Sequence, residues 1–202
     1  YEMNLLDPDL VTVFDQERPD IVNHHAAHTV VTRSVEDPFF DAEQNILGGL
    51  RLIESCVRCG VKKIVYASTG GAAYGEVLDT PPDEAFPVEP ISPYGISKHT
   101  VERYLSVAGI QNGLDWIVLR YANVYGPRQN AHGEAGVVAV FTRQLLEGKT
   151  PTIFGNGNKV RDYVYVSDVM RANLAAMASE QSAQVFNIGT GIETRDMDIF
   201  DG

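Results

Sequence analysis

Apolar and polar positions along this chain alternate between two periods, one near 3.6 residues and one of two. In Pro8 to Gln16 the apolar residues Leu10, Val13 and Phe14 fall on one side of a helix, and Asp20-Ile-Val-Asn-His24 follows as a short run that reads as a buried strand. From Glu43 to Cys59, the residues Ile46, Leu50, Ile53 and Val57 recur at helical spacing; Gly60 then stops the helix, and Ile64-Val-Tyr-Ala-Ser68 reads as the next strand. Pro93 opens a further helix, Tyr94 to about Gln111, which carries Val101, Tyr104, Leu105 and Ala108 and ends near Gly113. Trp116 to Tyr121 is the strand after it. Strands alternating with helices of this length predict an α/β fold with a Rossmann-like doubly wound parallel sheet, because parallel neighbours need crossover helices that cover the faces. Ligands of such sheets sit beyond the carboxyl ends of the strands, so the residues that follow each strand are the ones to read for chemistry.

After Asn130 the pattern loosens into a loop from Ala131 to Gly136, a helix through Leu145, the segment Pro151-Thr-Ile-Phe-Gly155, and Arg161-Asp-Tyr-Val-Tyr-Val166. A last helix is expected from Ser167, whose hydroxyl would cap its first turn. The change divides the chain into a main unit over residues 1–130 and part of a smaller lobe over 131–202, with strand and helix segments returning to the main unit.

With 44% hydrophobic and 21% charged residues in 202, the composition is that of a globular chain with a sizeable core. A net charge of −11 repels phosphate backbones and anionic membrane surfaces, so nucleic acid and membrane are not expected partners. Small anionic ligands stay open, because one arginine or one helix N-terminus overrides the mean field at short range. No apolar run approaches the roughly 18–20 residues of a spanning helix, and the opening YEMNLLDPDL is no basic-then-apolar leader, so a soluble cytoplasmic protein is expected. Cys56 and Cys59 form one C-x-x-C at the end of a helical pattern; without a second pair it reads as core thiols rather than a redox or zinc motif.

The densest chemistry lies in Ser92-Pro-Tyr94-Gly-Ile-Ser-Lys98. If Pro93 starts the helix, Tyr94 and Lys98 share a face one turn apart, and an ammonium beside a phenol favours its ionisation. Ser68 and Thr69 place hydroxyls at the carboxyl end of a strand, where they can hold a substrate oxygen and relay its proton. Gly70-Gly71-Ala-Ala after them reads as a tight, close-approach loop rather than a helix cap. His24-His25-x-x-His28 has the spacing of a metal cluster but lacks a fourth ligand; a backbone that passes close to a ligand at Ala26 and Ala27 is preferred, and no metal is expected. Arg161 offers a bidentate fork for a diphosphate, against the alternative of a surface pair with Asp162.

Five blocks, Ala67-Ser-Thr-Gly-Gly-Ala-Ala-Tyr-Gly-Glu76, Pro90-Ile-Ser-Pro-Tyr-Gly-Ile-Ser-Lys98, Leu119-Arg-Tyr-Ala-Asn-Val-Tyr-Gly-Pro-Arg128, Gly133-Glu-Ala-Gly-Val-Val138 and Val160-Arg-Asp-Tyr-Val-Tyr-Val166, together resemble the NAD-dependent epimerase/dehydratase family of extended short-chain dehydrogenase/reductases. The resemblance implies NAD as cofactor, residues 1–130 as the dinucleotide-binding domain, and epimerisation of a UDP-hexose at C4 through a transient 4-keto sugar. UDP-glucose and UDP-galactose are the implied pair, and the enzyme a homodimer joined through the helices Glu43–Cys59 and Tyr94–Gln111. It further implies Tyr94 as catalytic base, Lys98 as its electrostatic partner and ribose ligand, and Thr69 or Ser68 as hydroxyl relay. By position, Asn4 and Leu5 would lie near adenine. His25, Ala26, Ala27, Asn45, Ser68, Ala122 and Val124 would line the cofactor, and Asn123, Val137, Phe154 and Arg161 the sugar nucleotide. Relatives that act as 4,6-dehydratases or decarboxylases place a carboxylate just after the hydroxyl, where this chain has Gly70-Gly71. A non-catalytic NAD(P)-binding regulatory module is the alternative of another class. The glycine-rich turn that such a fold uses after its first strand is absent, and neither Gly155-x-Gly157 nor Gly189-x-Gly191 continues into it, so the first strand-helix-strand unit is expected to lie outside this sequence.

Overall fold

The computed structural model describes residues 1–76, 81–131, 136–153 and 155–201. Leu10 and Phe14, one turn apart, bury in the core as α1 (Leu10–Glu17), which feeds β1 (Ile21–His24). Two short helices, α2 (Val31–Glu36) and α3 (Pro38–Ala42), lead through a π-helical turn at Glu43–Leu47 into α4 (Gly48–Cys59). Then come β2 (Lys63–Thr69), the long α5 (Pro93–Asn112), β3 (Asp115–Tyr121) and β4 (Asn123–Tyr125). The remainder holds α6 (Val137–Leu146), β5 (Val160–Arg161), β6 (Tyr163–Tyr165), α7 (Val166–Ala178), β7 (Gln184–Ile188), β8 (Thr194–Arg195) and α8 (Asp196–Asp201).

Four of these strands form one parallel sheet in the order β1-β2-β3-β7, which is the expected Rossmann-like α/β architecture. Successive side chains of a strand point to opposite faces, and the core divides accordingly. Ile64, Tyr66, Trp116 and Val118 pack with Leu52, Ile53 and Cys56 of α4 and Val101, Leu105 and Ala108 of α5. Their neighbours Val65, Ile117 and Leu119 pack on the other face with Ala172, Ala176 and Met177 of α7. Away from the sheet, β4 pairs in parallel with β6, β5 pairs antiparallel with β8, and Phe141 of α6 meets Phe200 of α8 edge-on at 6.2 Å.

Several expectations need correction. The first strand is not buried: β1 is hydrogen-bonded only to β2 among the described residues, and of its four residues only His24 is buried. The helix expected from Glu43 begins as a helical rod at Pro38, and the π-helical turn adds a residue that rotates the phase of α4. The buried stripe therefore runs through Asn45, Gly48, Leu52 and Cys56, while Ile46, Leu50 and Val57 are only half-buried. Tyr104 is 42% exposed, off the inward face of α5. Ser167 lies inside α7 and caps nothing; Tyr165 occupies the cap position, with no side-chain hydrogen bond. Cys56 is fully buried and burial pushes its thiol up to about 12, whereas Cys59 lies near the surface and its Sγ donates to Asp15 Oδ1 at 3.4 Å. No helix among the described residues is long and apolar enough to cross a membrane.

Candidate active site

The side chains at the carboxyl edge of the sheet gather around the start of α5. Ser92 caps it by accepting from the Gly95 amide at 3.1 Å, and Pro93 supplies a first helical residue that needs no acceptor. The Tyr94 amide donates to Ser34 Oγ at 3.2 Å; that hydroxyl, fully buried on α2, itself donates to the Val31 carbonyl at 2.7 Å. A side chain at Gly95 would collide with the Ala72 carbonyl, so the turn after β2 is pressed against the first turn of the helix. One turn on, Ser97 Oγ donates to Asp41 Oδ2 at 2.6 Å and ties α5 to α3.

Tyr94 and Lys98 lie on adjacent turns with Thr69 at the phenol. Burial, then the charge of Asp41, push the Tyr94 phenol up to about 12, and its hydrogen bond with the Thr69 hydroxyl acts in the opposite direction. Lys98 is 3% exposed, its ammonium 4.2 Å from the centre of the Tyr66 ring. Burial pulls that ammonium down to about 7, against the opposing charges of Glu102 and Asp41. Among the described residues the ammonium meets no hydrogen-bond acceptor, only the face of Tyr66. A buried ammonium with its donors open fits the hydroxyls of a ribose, so this corner suits the sugar end of a dinucleotide.

The two candidate hydroxyls have different partners. Ser68 Oγ donates to Glu102 Oε1 at 2.5 Å, on the opposite side of the strand end from Thr69, whose Oγ1 also accepts from the Ala72 amide at 3.2 Å. Glu102 is the centre of a buried network the sequence reading missed. Arg120 grips it with Nε to Oε1 at 3.1 Å and Nη2 to Oε2 at 2.6 Å, and reaches Tyr74 Oη through Nη1 at 2.8 Å. His99 Nδ1 lies 3.1 Å from Oε2, and Tyr74 donates onward to Asn187 Oδ1 at 2.7 Å. Burial alone would raise the Glu102 carboxyl; hydrogen bonds from His99, Arg120 and Ser68, with the Arg120 charge, hold it down at about 2. The legible signals were an arginine inside an apolar strand and an acid one helical turn after Lys98.

The remaining expected residues are spread along the same edge. His24 stacks near Tyr66 at 5.3 Å, and burial with the nearby Lys98 and His25 pulls its imidazole down to about 3. His25 points to the other face, with Nε2 at 3.1 Å from both Asn23 Oδ1 and Asn173 Oδ1, and stacks on Tyr121. His28 packs edge-on against Phe40. The three imidazoles thus meet different partners, and no metal-holding group of His, Cys, Asp or Glu exists among the described residues. Ala26 is exposed and Ala27 half-buried after β1. Asn45 pins that segment, accepting from the His28 amide at 2.8 Å and donating to the His28 carbonyl at 2.9 Å. Asn4 donates to Gln44 at 3.1 Å, and Leu5 packs at the edge of the core. Ala122 donates its amide to the Ile188 carbonyl at 2.9 Å, and the Val124 carbonyl accepts from Gln129 at 3.1 Å. Asn123 binds the Asp162 carbonyl through its side chain at 3.2 Å, which brings it beside Arg161. Arg161 is exposed and donates to the Val160 carbonyl at 2.6 Å; the weighed pair with Asp162 is not formed. Asp162 instead accepts from the Thr190 and Gly191 amides, each at 2.9 Å through Oδ2, and so shapes the Gly189-x-Gly191 turn. Val137 opens α6, and Phe154 lies outside the described residues.

Residues 1–189 match the family described as NAD dependent epimerase/dehydratase. A protein of Methanocaldococcus jannaschii named putative UDP-glucose 4-epimerase is 43% identical over 198 residues, covering 98% of this chain and 64% of its own length. The crystal structure of a Thermotoga maritima UDP-glucose 4-epimerase with UDP-glucose superposes with a TM-score of 0.96 at 49% identity, over 100% of this chain and 65% of that one. That of the Thermus thermophilus enzyme in complex with NAD gives 0.90 at 46% identity, over 98% and 66%. The chain therefore spans just under two thirds of the length of these relatives. With Tyr94, Lys98 and Thr69 gathered at the carboxyl edge of a parallel sheet, and with these likenesses along its whole length, the chain belongs to the NAD dependent epimerase/dehydratase family.

Proposed function

We propose that this chain carries the proton-handling centre of an NAD-dependent nucleotide-sugar 4-epimerase that interconverts UDP-glucose and UDP-galactose. The observation that carries the reading is the Thr69–Tyr94–Lys98 arrangement: a hydroxyl bonded to a phenol, and a buried ammonium one turn away with its donors open. When bound, NAD would supply the hydride acceptor for C4 of the sugar. Lys98 holds the cofactor ribose and adds its own charge. As the phenolate, Tyr94 Oη would take the proton of the sugar 4-hydroxyl, which Thr69 orients, and the phenol so formed would return that proton to the oxygen of the 4-keto sugar after it has turned over in the pocket. Arg161 and Asn123, brought near each other by the Asn123 hydrogen bond to the Asp162 carbonyl, hold the diphosphate end, with Val137 alongside the nucleotide. The backbone after β1, at His25, Ala26 and Ala27, with Asn45, Ala122 and Val124, lines the dinucleotide, and Asn4 and Leu5 lie towards its adenine. Thr69 is the hydroxyl of choice over Ser68, because Ser68 already donates to Glu102.

Epimerisation is preferred to dehydration because Gly70 and Gly71, the two positions after Thr69, carry no carboxyl group for the extra acid-base work that dehydration needs. The half-exposed apolar seam of Leu50, Val57, Tyr104 and Val107 between α4 and α5 supports a homodimer. The test is turnover of UDP-galactose by the full-length protein: Tyr94→Phe should lower it by roughly 10²–10⁴-fold with the fold intact. Near-normal turnover rejects the assignment, and conversion of a different nucleotide sugar alone rejects the substrate.

A further inference from the structure

Asp41 is a buried carboxylate beside Tyr94 and Lys98 to which the proposed chemistry gives no part. It sits fully buried on α3, where the helix passes into the π-helical turn. Its Oδ2 accepts from Ser97 at 2.6 Å and its Oδ1 from Asn45 Nδ2 at 2.9 Å, with His28 Nδ1 3.6 Å away. No lysine or arginine among the described residues forms an ion pair with it. Lys98, the residue after Ser97, has the complementary defect of a buried ammonium without a carboxylate in contact. Buried charges of opposite sign in one low-dielectric corner attract each other even without touching, and Glu102 and then Asp41 both favour the Lys98 ammonium. Glu102 differs, since Arg120 already answers its charge through two hydrogen bonds.

We propose that Asp41 is a positioning residue of the Tyr94–Lys98 pair, which ties α5 to α3 through Ser97 and serves as the counter-charge that holds Lys98 as an ammonium. The groups around Lys98 are Tyr66 and His24 from the strands, His25 just after β1, Glu102 from its own helix, and Asp41 from α3, with Tyr94 one turn earlier on α5. Both phenols and both imidazoles are neutral at pH 7, so the two carboxylates supply the negative charge. Lys98 titrates near neutrality, where a modest change of field decides its protonation. Asp41 also opposes ionisation of Tyr94, so its charge favours the resting state in which phenol and ammonium both keep their protons.

The role in catalysis rests on the epimerase reading, but the decisive measurement does not. In the full-length protein carrying [ε-13C]lysine, with Lys98→Met to assign the signal, Lys98 should titrate near neutrality and should fall by roughly one pH unit in Asp41→Asn. Ser97→Ala, which keeps the charge, should move it less. Coincident Lys98 titrations in the wild type and Asp41→Asn overturn the proposal. Should Asp41→Asn fail to fold alone, the Lys98→Met background decides: the double variant should melt higher than Lys98→Met, and an equal or lower melting temperature overturns the counter-charge. For turnover, the alkaline limb of kcat/KM should move to lower pH in Asp41→Asn. A lysine shift in a protein that turns over no UDP-sugar upholds the counter-charge and overturns the epimerase reading.

Discussion

Two successive turns of α5 each bury a charge, and they treat it in opposite ways. Glu102 is held by Arg120, Ser68 and His99, so both its oxygens are engaged. Lys98, one turn earlier and equally buried, lies against the ring of Tyr66 and forms no hydrogen bond or ion pair with a carboxylate among the described residues. A buried charge costs free energy unless paired, so the first arrangement is a closed scaffold and the second leaves its hydrogen-bond donors open. The contrast also shows in their titrations, since the same burial leaves the carboxyl at about 2 and brings the ammonium to about 7.

The strongest way to break this comparison is to unpair the scaffold. Arg120→Met leaves Glu102 buried without its cation and should cost about 3–5 kcal/mol in denaturant unfolding; a loss below about 1 kcal/mol would show that the pair is no scaffold. Lys98→Met should do the reverse. A base whose folded value lies near 7 and whose unfolded value is 10.5 binds more protons when unfolded, so its burial is costliest below pH 7 and the cost fades as pH rises through that window. Wild-type stability should thus climb between pH 7 and 10 by at most about 1.4 kcal/mol per pH unit from this group, and Lys98→Met should remove that slope and gain stability at pH 6–7. Glu102 predicts the acid side: its depressed value stabilises the fold above about 4.5, and roughly 2–3 kcal/mol should be lost as pH falls towards 2. Arg120→Met should blunt that acid transition. The smallest expected effect is Ser34→Ala, which takes the acceptor from the Tyr94 amide and should cost about 1 kcal/mol in thermal unfolding.

The halves of α5 also explain what the sequence made legible. Val101, Leu105 and Ala108 recur at helical spacing and are buried, so the inward face of the second half was plain. Between Gly95 and Glu102 the buried residues also include Ser97 and Lys98, and polar residues at such spacing read as a solvated face. Tyr94 and Lys98 were visible because their chemistry is tied to one turn of helix. Glu102 was not, because its meaning depends on Arg120, 18 residues away on β3. Ser68 and Thr69 are neighbours in sequence and equal in chemistry; only the end of β2, where one meets Glu102 and the other the phenol, separates them. The phase of Ile46, Leu50 and Val57 was misread because a π-helical turn has no signature in an apolar pattern that assumes 3.6 residues per turn.

By itself the sequence determined the order of strands and helices, their caps at Ser92, Gly60 and Gly113, and the adjacency of Tyr94 and Lys98, since each depends on contacts within a turn or two of chain. Tertiary structure decided which buried charge would be satisfied. Asp41, Glu102 and Arg120 come from three different elements, and whether a charge in the interior is compensated depends on neighbours that only the packed sheet brings within a few ångströms.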